Sequence, residues 1–383
     1  MKKSIYLGII ALATLSLASC SKDEVVESVP QQPAIEFGTY LGRDAQSRAS
    51  QLTTDGTDGV ALLDFGVFAS YTQEDNWSAT NMNFMYNQYV NRASISADWT
   101  YSPKKYWPTN QGDKISFWAY APYATTDNGI KVTSSNTVTS VPTIQYSLTG
   151  DLSAQADFVT DVQMNETRNA TTDPDGDPRT VNFGLRHELT RVGITAMLDK
   201  TIDAATKVNI TKVEFGGTDM ATVATYSFAS TSDGRGTWNP TTKESLDITS
   251  ILKSSAASGL GDYNGTKGVF LTDTTPVKLF GEDNYLFLIP FANGIDATDN
   301  ENVTITIYYD IVTYDDALDG DHSISSAVKV ITLPNNAGLL QQGKAYNFNL
   351  TFYMNEIVLS ASVDETWSDI NNDQSVDWND TDL

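Results

Sequence analysis

The sequence predicts an all-β protein built of β-sandwiches, on three observations. Apolar residues recur at period two rather than at helical spacing, the runs are short, and Gly, Asn, Asp and Pro bound them. Thr, Val, Tyr and Phe fill these runs, the residues that suit a pleated surface. "AIEFGTYL" (34–41) opens the series, with Ile35, Phe37, Thr39 and Leu41 on one face. "GVFASY" (66–71) and "KISFWAYAP" (114–122) follow as strands. "YLFLIP" (285–290) is apolar throughout and closed by proline, which predicts a central strand. "VTITIYY" (303–309) sets Val303, Ile305 and Ile307 against threonines. "YNFNLTFYM" (346–354) alternates Tyr346, Phe348, Leu350, Phe352 and Met354 with Asn, Asn, Thr and Tyr.

The 383 residues are enough for two domains. The boundary candidate is "TTDPDGDPRT" (171–180), where prolines, a glycine and aspartates oppose regular structure. Domains of 49–175 and 176–383 are expected, with loop-rich zones at 230–265 and 314–326. No later segment reaches the length of apolar chain that crosses a membrane as a helix.

The N-terminus predicts export. Lys2 and Lys3 precede an apolar segment, Ile5 to Leu17, too short to span a bilayer. It ends in "LASC" (17–20), which resembles the lipobox of bacterial lipoprotein signal peptides. That resemblance implies a signal peptide over 1–20, acylation of Cys20 and an outer-membrane anchor. The following "SKDE" (21–24) is similar to the acidic tract of surface-exposed lipoproteins. Cys20 is the sole cysteine, so no intramolecular disulfide can form. A formal net charge of −24 argues against nucleic acid, whose phosphates would be repelled.

Three segments carry a family resemblance. "WTYSPKKYWPTNQGDKISFWAYAPY" (99–123) has Tyr106-Trp107-Pro108, a turn and then a strand. "VNFGLRHELTRVGI" (181–194) and "LLQQGKAYNFNLTF" (339–352) supply the second and third marks. Together they resemble the fimbrillin-like family of Bacteroidetes. The resemblance implies two transthyretin-like β-sandwich domains and a place in a cell-surface fimbria. Trp99, Trp107 and Trp118 are expected as core anchors rather than a sugar platform. His187 is expected as a structural histidine, since His322 lies far off in a loop.

The same resemblance gives meaning to the arginines after the first strand. In that family the precursor is cut after an arginine there, the strand is removed, and a neighbouring subunit's strand fills the groove. Cleavage after Arg48 is expected, leaving Ala49 at the new N-terminus, with Arg43 as the second choice. The pro-segment would then be 21–48. "IVLSASV" (357–363) is the expected donor strand: Ile357, Leu359, Ala361 and Val363 repeat the large, large, small, large order of the first strand. The preceding run has its apolar residues at even positions and this one at odd positions. That phase change requires a bulge or turn near Asn355-Glu356, which can let the tail leave its own domain.

The final residues hold a second constellation. Asp369, Asn371, Asp373, Ser375, Asp377 and Asp380 fall at the ligand positions of an EF-hand-type loop, a spacing at which oxygens wrap one hard cation. Gln374 stands where the turn glycine belongs, and Asp380 is shorter than the customary glutamate. Calcium is the cation expected there, against the alternative of a solvated acidic tail; no other cofactor is expected.

A fimbrial subunit assembled by strand donation is the expected function, with other subunits, the outer membrane and an arginine-specific protease as partners. The alternative is a surface-anchored adhesin, at a fimbrial tip or alone, that binds a glycan or host protein through its long loops. The two separate on whether the first strand is lost. Two isolated histidines and one expectedly lipidated cysteine leave no support for an enzyme.

Overall fold

The computed structural model describes residues 33–41, 52–53, 60–148, 152, 155–168, 180–232, 234–253, 268–280, 285–291, 302–318, 322–334 and 338–363. The chain is all-β, as its period-two patterning predicts, and among the described residues there is no α-helix.

β1 (Glu36–Leu41) precedes a small parallel pair, β2 (Leu52–Thr53) and β3 (Val60–Ala61). β4 (Asp64–Tyr71), β5 (Met85–Asn91) and β6 (Lys114–Ala121) come next, followed by the hairpin β7 (Ile130–Val132) and β8 (Thr143–Ser147). β9 (Val159–Thr167) and β10 (Thr180–His187) return to complete a six-stranded sheet ordered β1-β10-β9-β6-β4-β5.

The rest of the chain supplies β11 (Thr190–Leu198), β12 (Thr206–Gly216), β13 (Ala221–Ser227), β14 (Thr237–Lys243), β15 (Leu246–Asp247) and β16 (Val269–Leu271). β17 (Val277–Lys278), β18 (Leu286–Leu288), β19 (Thr304–Tyr314), β20 (His322–Thr332), β21 (Ala345–Phe352) and β22 (Ile357–Val363) complete it. They form a sheet ordered β17-β11-β21-β22, with β18 also on β11, and another ordered β15-β12-β19-β20, with β16 also on β12. A four-stranded sheet, β14-β13-β8-β7, draws strands from both halves of the chain. Strand pairing thus crosses residue 175 twice, through this shared sheet and through β10, which lies beyond the acidic linker yet belongs to the first sheet.

The central strands of the first sheet are buried on both faces. One face holds Ile35, Phe37, Leu41, Phe65, Val67, Phe117 and Phe183. The other holds Phe68, Trp118 and Tyr120, and joins a core that runs on to Phe215, Phe348 and Leu350. The alternating faces read from the sequence are the buried ones: Val303, Ile305 and Ile307 on one strand, Tyr346, Phe348, Leu350 and Phe352 on another.

One expectation of strand placement is corrected. Residues 285–290 do not form a central strand: among the described residues β18 pairs only with β11, on the same side as β17. Its apolar run reflects burial in the core, where Leu286, Phe287 and Leu288 are all enclosed. The turn expected at 355–356 is present as a hairpin, which returns the chain to β21 through residue 363. Phe352 pairs with Ile357, so residues of opposite parity face each other, and Tyr353 N–H donates to Glu356 O at 2.8 Å. Met354, at the turn, is 58% exposed rather than part of the apolar face.

Candidate assembly site

β1 is an edge strand with the packing of an interior one. It runs parallel to β10 over six residue pairs, from Glu36↔Thr180 to Leu41↔Leu185, and among the described residues has no full strand on its other side. Only its start is braced there. Ile35 N–H donates to Lys105 O at 2.9 Å, Trp107 N–H donates to Pro33 O at 3.0 Å, and Tyr101 Oη donates to Ile35 O at 2.8 Å. Burial pushes the Tyr101 hydroxyl up to about 12.

Alternation sends Ile35, Phe37 and Leu41 into the core. The Phe37 ring stacks on Phe183 at 5.8 Å and meets Tyr101 at 5.3 Å, Phe65 at 6.0 Å and Phe117 at 6.1 Å. Such aromatic pairs contribute beyond their buried area. Thr39, the fourth residue of the expected face, is only half-buried. At Gly38 any Cβ would collide with the Asn182 side chain, which crosses the strand at that point.

β10 leans on β1 more than on the sheet behind it. It pairs with β9 only at Arg186↔Thr160 and His187↔Val159. Above those pairs the two strands diverge, and the Asp161 carboxylate spans the gap by accepting Gly184 N–H at 2.9 Å and Gln163 Nε2–H at 2.7 Å. Asp161 is buried, and desolvation holds its carboxyl above the ordinary range despite these bonds and the Arg186 charge.

A buried polar junction lies at the foot of β10. His187 Nδ1 sits 2.8 Å from Asp157 Oδ2, which also accepts Leu52 N–H at 3.2 Å. The chain just beyond Arg48 is therefore tied to this pair. Next to it, Glu188 accepts from Thr160 Oγ1 at 2.8 Å and from Gln342, with Arg235 at 3.8 Å. Arg235 also donates to His187 O at 2.9 Å, and Trp238 Nε1–H to Glu188 O at 2.8 Å. The Glu188 carboxyl is raised above its ordinary range, chiefly by burial. His187 is thus the structural histidine expected, enclosed and partnered rather than open to a ligand.

The tryptophans are likewise packing residues. Trp107 and Trp118 are fully buried, and Trp99 is half-buried beneath the Arg92 guanidinium at 4.5 Å. The expected donor, β22, is also an edge strand, antiparallel to β21 from Phe352↔Ile357 to Tyr346↔Val363. Ile357 and Ala361 are buried, whereas Leu359 and Val363 are half-buried. Cys20, Arg43, Arg48 and Ala49 lie outside the described residues, as does the loop from Asp369 to Asp380 with Asn371, Asp373, Ser375 and Asp377.

Sequence reading missed Asp161, Tyr101 and the part played by β10. A signal for β10 was present: Val181, Phe183, Leu185 and His187 alternate with polar residues and glycine, and all four are buried.

The sequence profile of the fimbrillin-like family matches residues 48–367. Fimbrium subunit Fim1C of Phocaeicola vulgatus is 27% identical over 94% of this chain and 96% of its own length. A fimbrial protein from Bacteroides vulgatus ATCC 8482, known from its crystal structure, has a TM-score of 0.68 at 25% identity, covering 87% of this chain and 99% of the other. With a family match over most of its length, and this all-β architecture, the chain belongs to the fimbrillin-like family.

Proposed function

We propose that the chain is a structural subunit of a cell-surface fimbria that assembles by strand donation after arginine-specific removal of β1. One observation carries this reading. β1 lies at the edge of its sheet, fills a core with three large side chains, and ends at Leu41, directly before the segment that contains Arg43 and Arg48. Each such side chain contributes roughly 1.5–3 kcal/mol on burial, so the three supply about 5–9 kcal/mol. That is comparable with a domain's whole stability of about 5–15 kcal/mol. A strand that stabilises so much from an edge leaves, when cut free, an apolar groove and an unpaired β10 edge, which favour a replacement strand.

β22 of a neighbouring copy is the proposed replacement, through Ile357, Leu359, Ala361 and Val363. It too occupies an edge among the described residues, held there by the Tyr353–Glu356 turn, its pairing with β21 and the burial of Ile357 and Ala361. Before cleavage, the proposed precursor is held at the outer membrane through acylated Cys20.

The test treats the full chain carrying Cys20→Ser with an arginine-specific protease. N-terminal sequencing should find Ala49, and electron microscopy should then show filaments. Arg48→Ala should block both. A cut at Ala49 that leaves β1 bound and the protein monomeric would remove strand donation from the reading. Resistance to the protease would remove the processing step.

A further inference from the structure

Among the described residues, no strand pairs with the outer side of β20, the last strand of the β15-β12-β19-β20 sheet. β20 pairs with β19 through eleven residue pairs, from Tyr314↔His322 to Thr304↔Thr332, without a register shift. At about 3.4 Å per residue it presents roughly 37 Å of continuous edge. Proteins commonly protect such an edge with proline, a bulge or charged side chains, lysine above all. β14, the edge of the four-stranded sheet, carries Pro240 and two register shifts. β20 has neither proline nor bulge; its one formal charge is Lys329, half-buried on the inward side, and its sequence, HSISSAVKVIT, holds no Asp or Glu although the chain carries −24.

The outward face of this edge is apolar. Ile307 and Ile305, buried on β19, face Lys329 and Ile331, so the odd positions of β20 point inward and the even ones outward. Ile324, Val328 and Val330 are 49%, 56% and 56% exposed. Between them, Ser326 Oγ donates to Asp310 Oδ1 on β19 at 2.7 Å, which engages the nearest carboxylate of that row.

We infer that β20 is a homotypic interface, pairing antiparallel with β20 of a second copy about a two-fold axis at Ala327. Two features select that partner. The strand is self-complementary in this register: Ile324 faces Val330 of the second copy twice over, Ser326 faces Val328, and Lys329 faces Ser325 with no like charge opposite. A one-residue slip would set outward residues against inward ones. The second feature is charge, since two acidic copies repel least where both edges lack carboxylates. The contact joins the two sheets into one and closes on itself, as an isologous interface does. It goes beyond strand donation, which lengthens a filament head to tail. Where the proposed function holds, this contact links filaments side by side.

The experiment uses the unprocessed full chain with Cys20→Ser, so β1 stays in place and the outcome is independent of strand donation. Ala327→Cys is then the sole cysteine. Mild oxidation should give a disulfide-linked dimer, whereas Asn239→Cys on the edge of β14 should give none. Sedimentation should show reversible dimers that strengthen as salt shortens the screening length from about 30 Å at 0.01 M to about 8 Å at 0.15 M. Val328→Asp with Val330→Asp should abolish the dimer and leave the thermal midpoint unchanged, because both side chains are exposed. A monomer at every concentration and salt, equal cross-linking from position 239, or a dimer that survives the double substitution would each overturn the proposal.

Discussion

Asp161 stands in for a backbone hydrogen bond between strands. Where β9 and β10 diverge, its carboxylate accepts the Gly184 amide that a paired strand would otherwise take. Asp161→Ala removes that acceptor; because Gly184 is exposed, its amide can turn to water, and the loss is that of one net hydrogen bond, about 0.5–1.5 kcal/mol. Asp161→Asn keeps an oxygen for Gly184 but cannot ionise. The folded carboxyl is raised above its ordinary value, so between those two values the folded chain binds more protons than the unfolded one. Stability from this group is complete below the ordinary carboxylate range and declines as pH rises through the raised value. Denaturant melts over a pH series should show a shallower decline in Asp161→Asn than in wild type. Glu188 and Glu166, also raised by burial, retain the remainder of the slope. Identical slopes in the two proteins would refute this role. None of it was legible in the sequence, where Asp161 is one acid among many in an acidic chain. Its meaning comes from Gly184, which the fold brings to it. His187 was legible in part: the alternation of its strand predicted burial, but its partner Asp157 lies ahead of β9 and is adjacent only in space.

Elements were easier to read than their neighbours. Period two states which side chains of a strand are buried, and for β1, β19 and β21 it named them correctly, with Thr39 and Met354 as the exceptions. It is silent on how many strands flank a given strand, because pairing is set by residues distant in the chain. That is why 285–290 read as central and proved to be a margin, and why the phase change before β22 gave the turn but not the strand to which it returns. The same non-local pairing makes β10 the element most exposed to the loss of β1. It has six pairs with β1 and two with β9. When β1 leaves, the amides of Thr180 to Leu185 lose their chief shelter, while those of β6, flanked by β4 and β9, keep theirs. Hydrogen exchange should therefore accelerate in β10 on cleavage and stay slow in β6, and it should slow again in β10 once a donor strand is bound. Unchanged exchange in β10 after β1 is removed would mean that β9 alone holds it.

At the scale of the molecule, the two faces of the first sheet divide the consequences of cleavage between them. β1, with Ile35 just before it, contributes Ile35, Phe37 and Leu41 to the core on one face only. The core on the other face extends through the shared four-stranded sheet into the rest of the chain and contains no residue of β1. Trp118 belongs to that second core, and its Nε1–H donates to Ala229 O at 3.0 Å. Trp107 belongs to the first, and its backbone N–H bonds Pro33 at the start of β1. The cut subunit should therefore open without unfolding: its β-sheet circular dichroism should persist while Trp107 becomes accessible to a soluble quencher and Trp118 does not. Trp107→Phe should abolish the gain in quenching on cleavage, which assigns the signal to the groove. Cooperative loss of the sheet signal after the cut would show that the second core depends on the first. An open but folded state is the intermediate that strand donation requires, because a subunit that melted on losing β1 would offer an incoming strand no groove to complete.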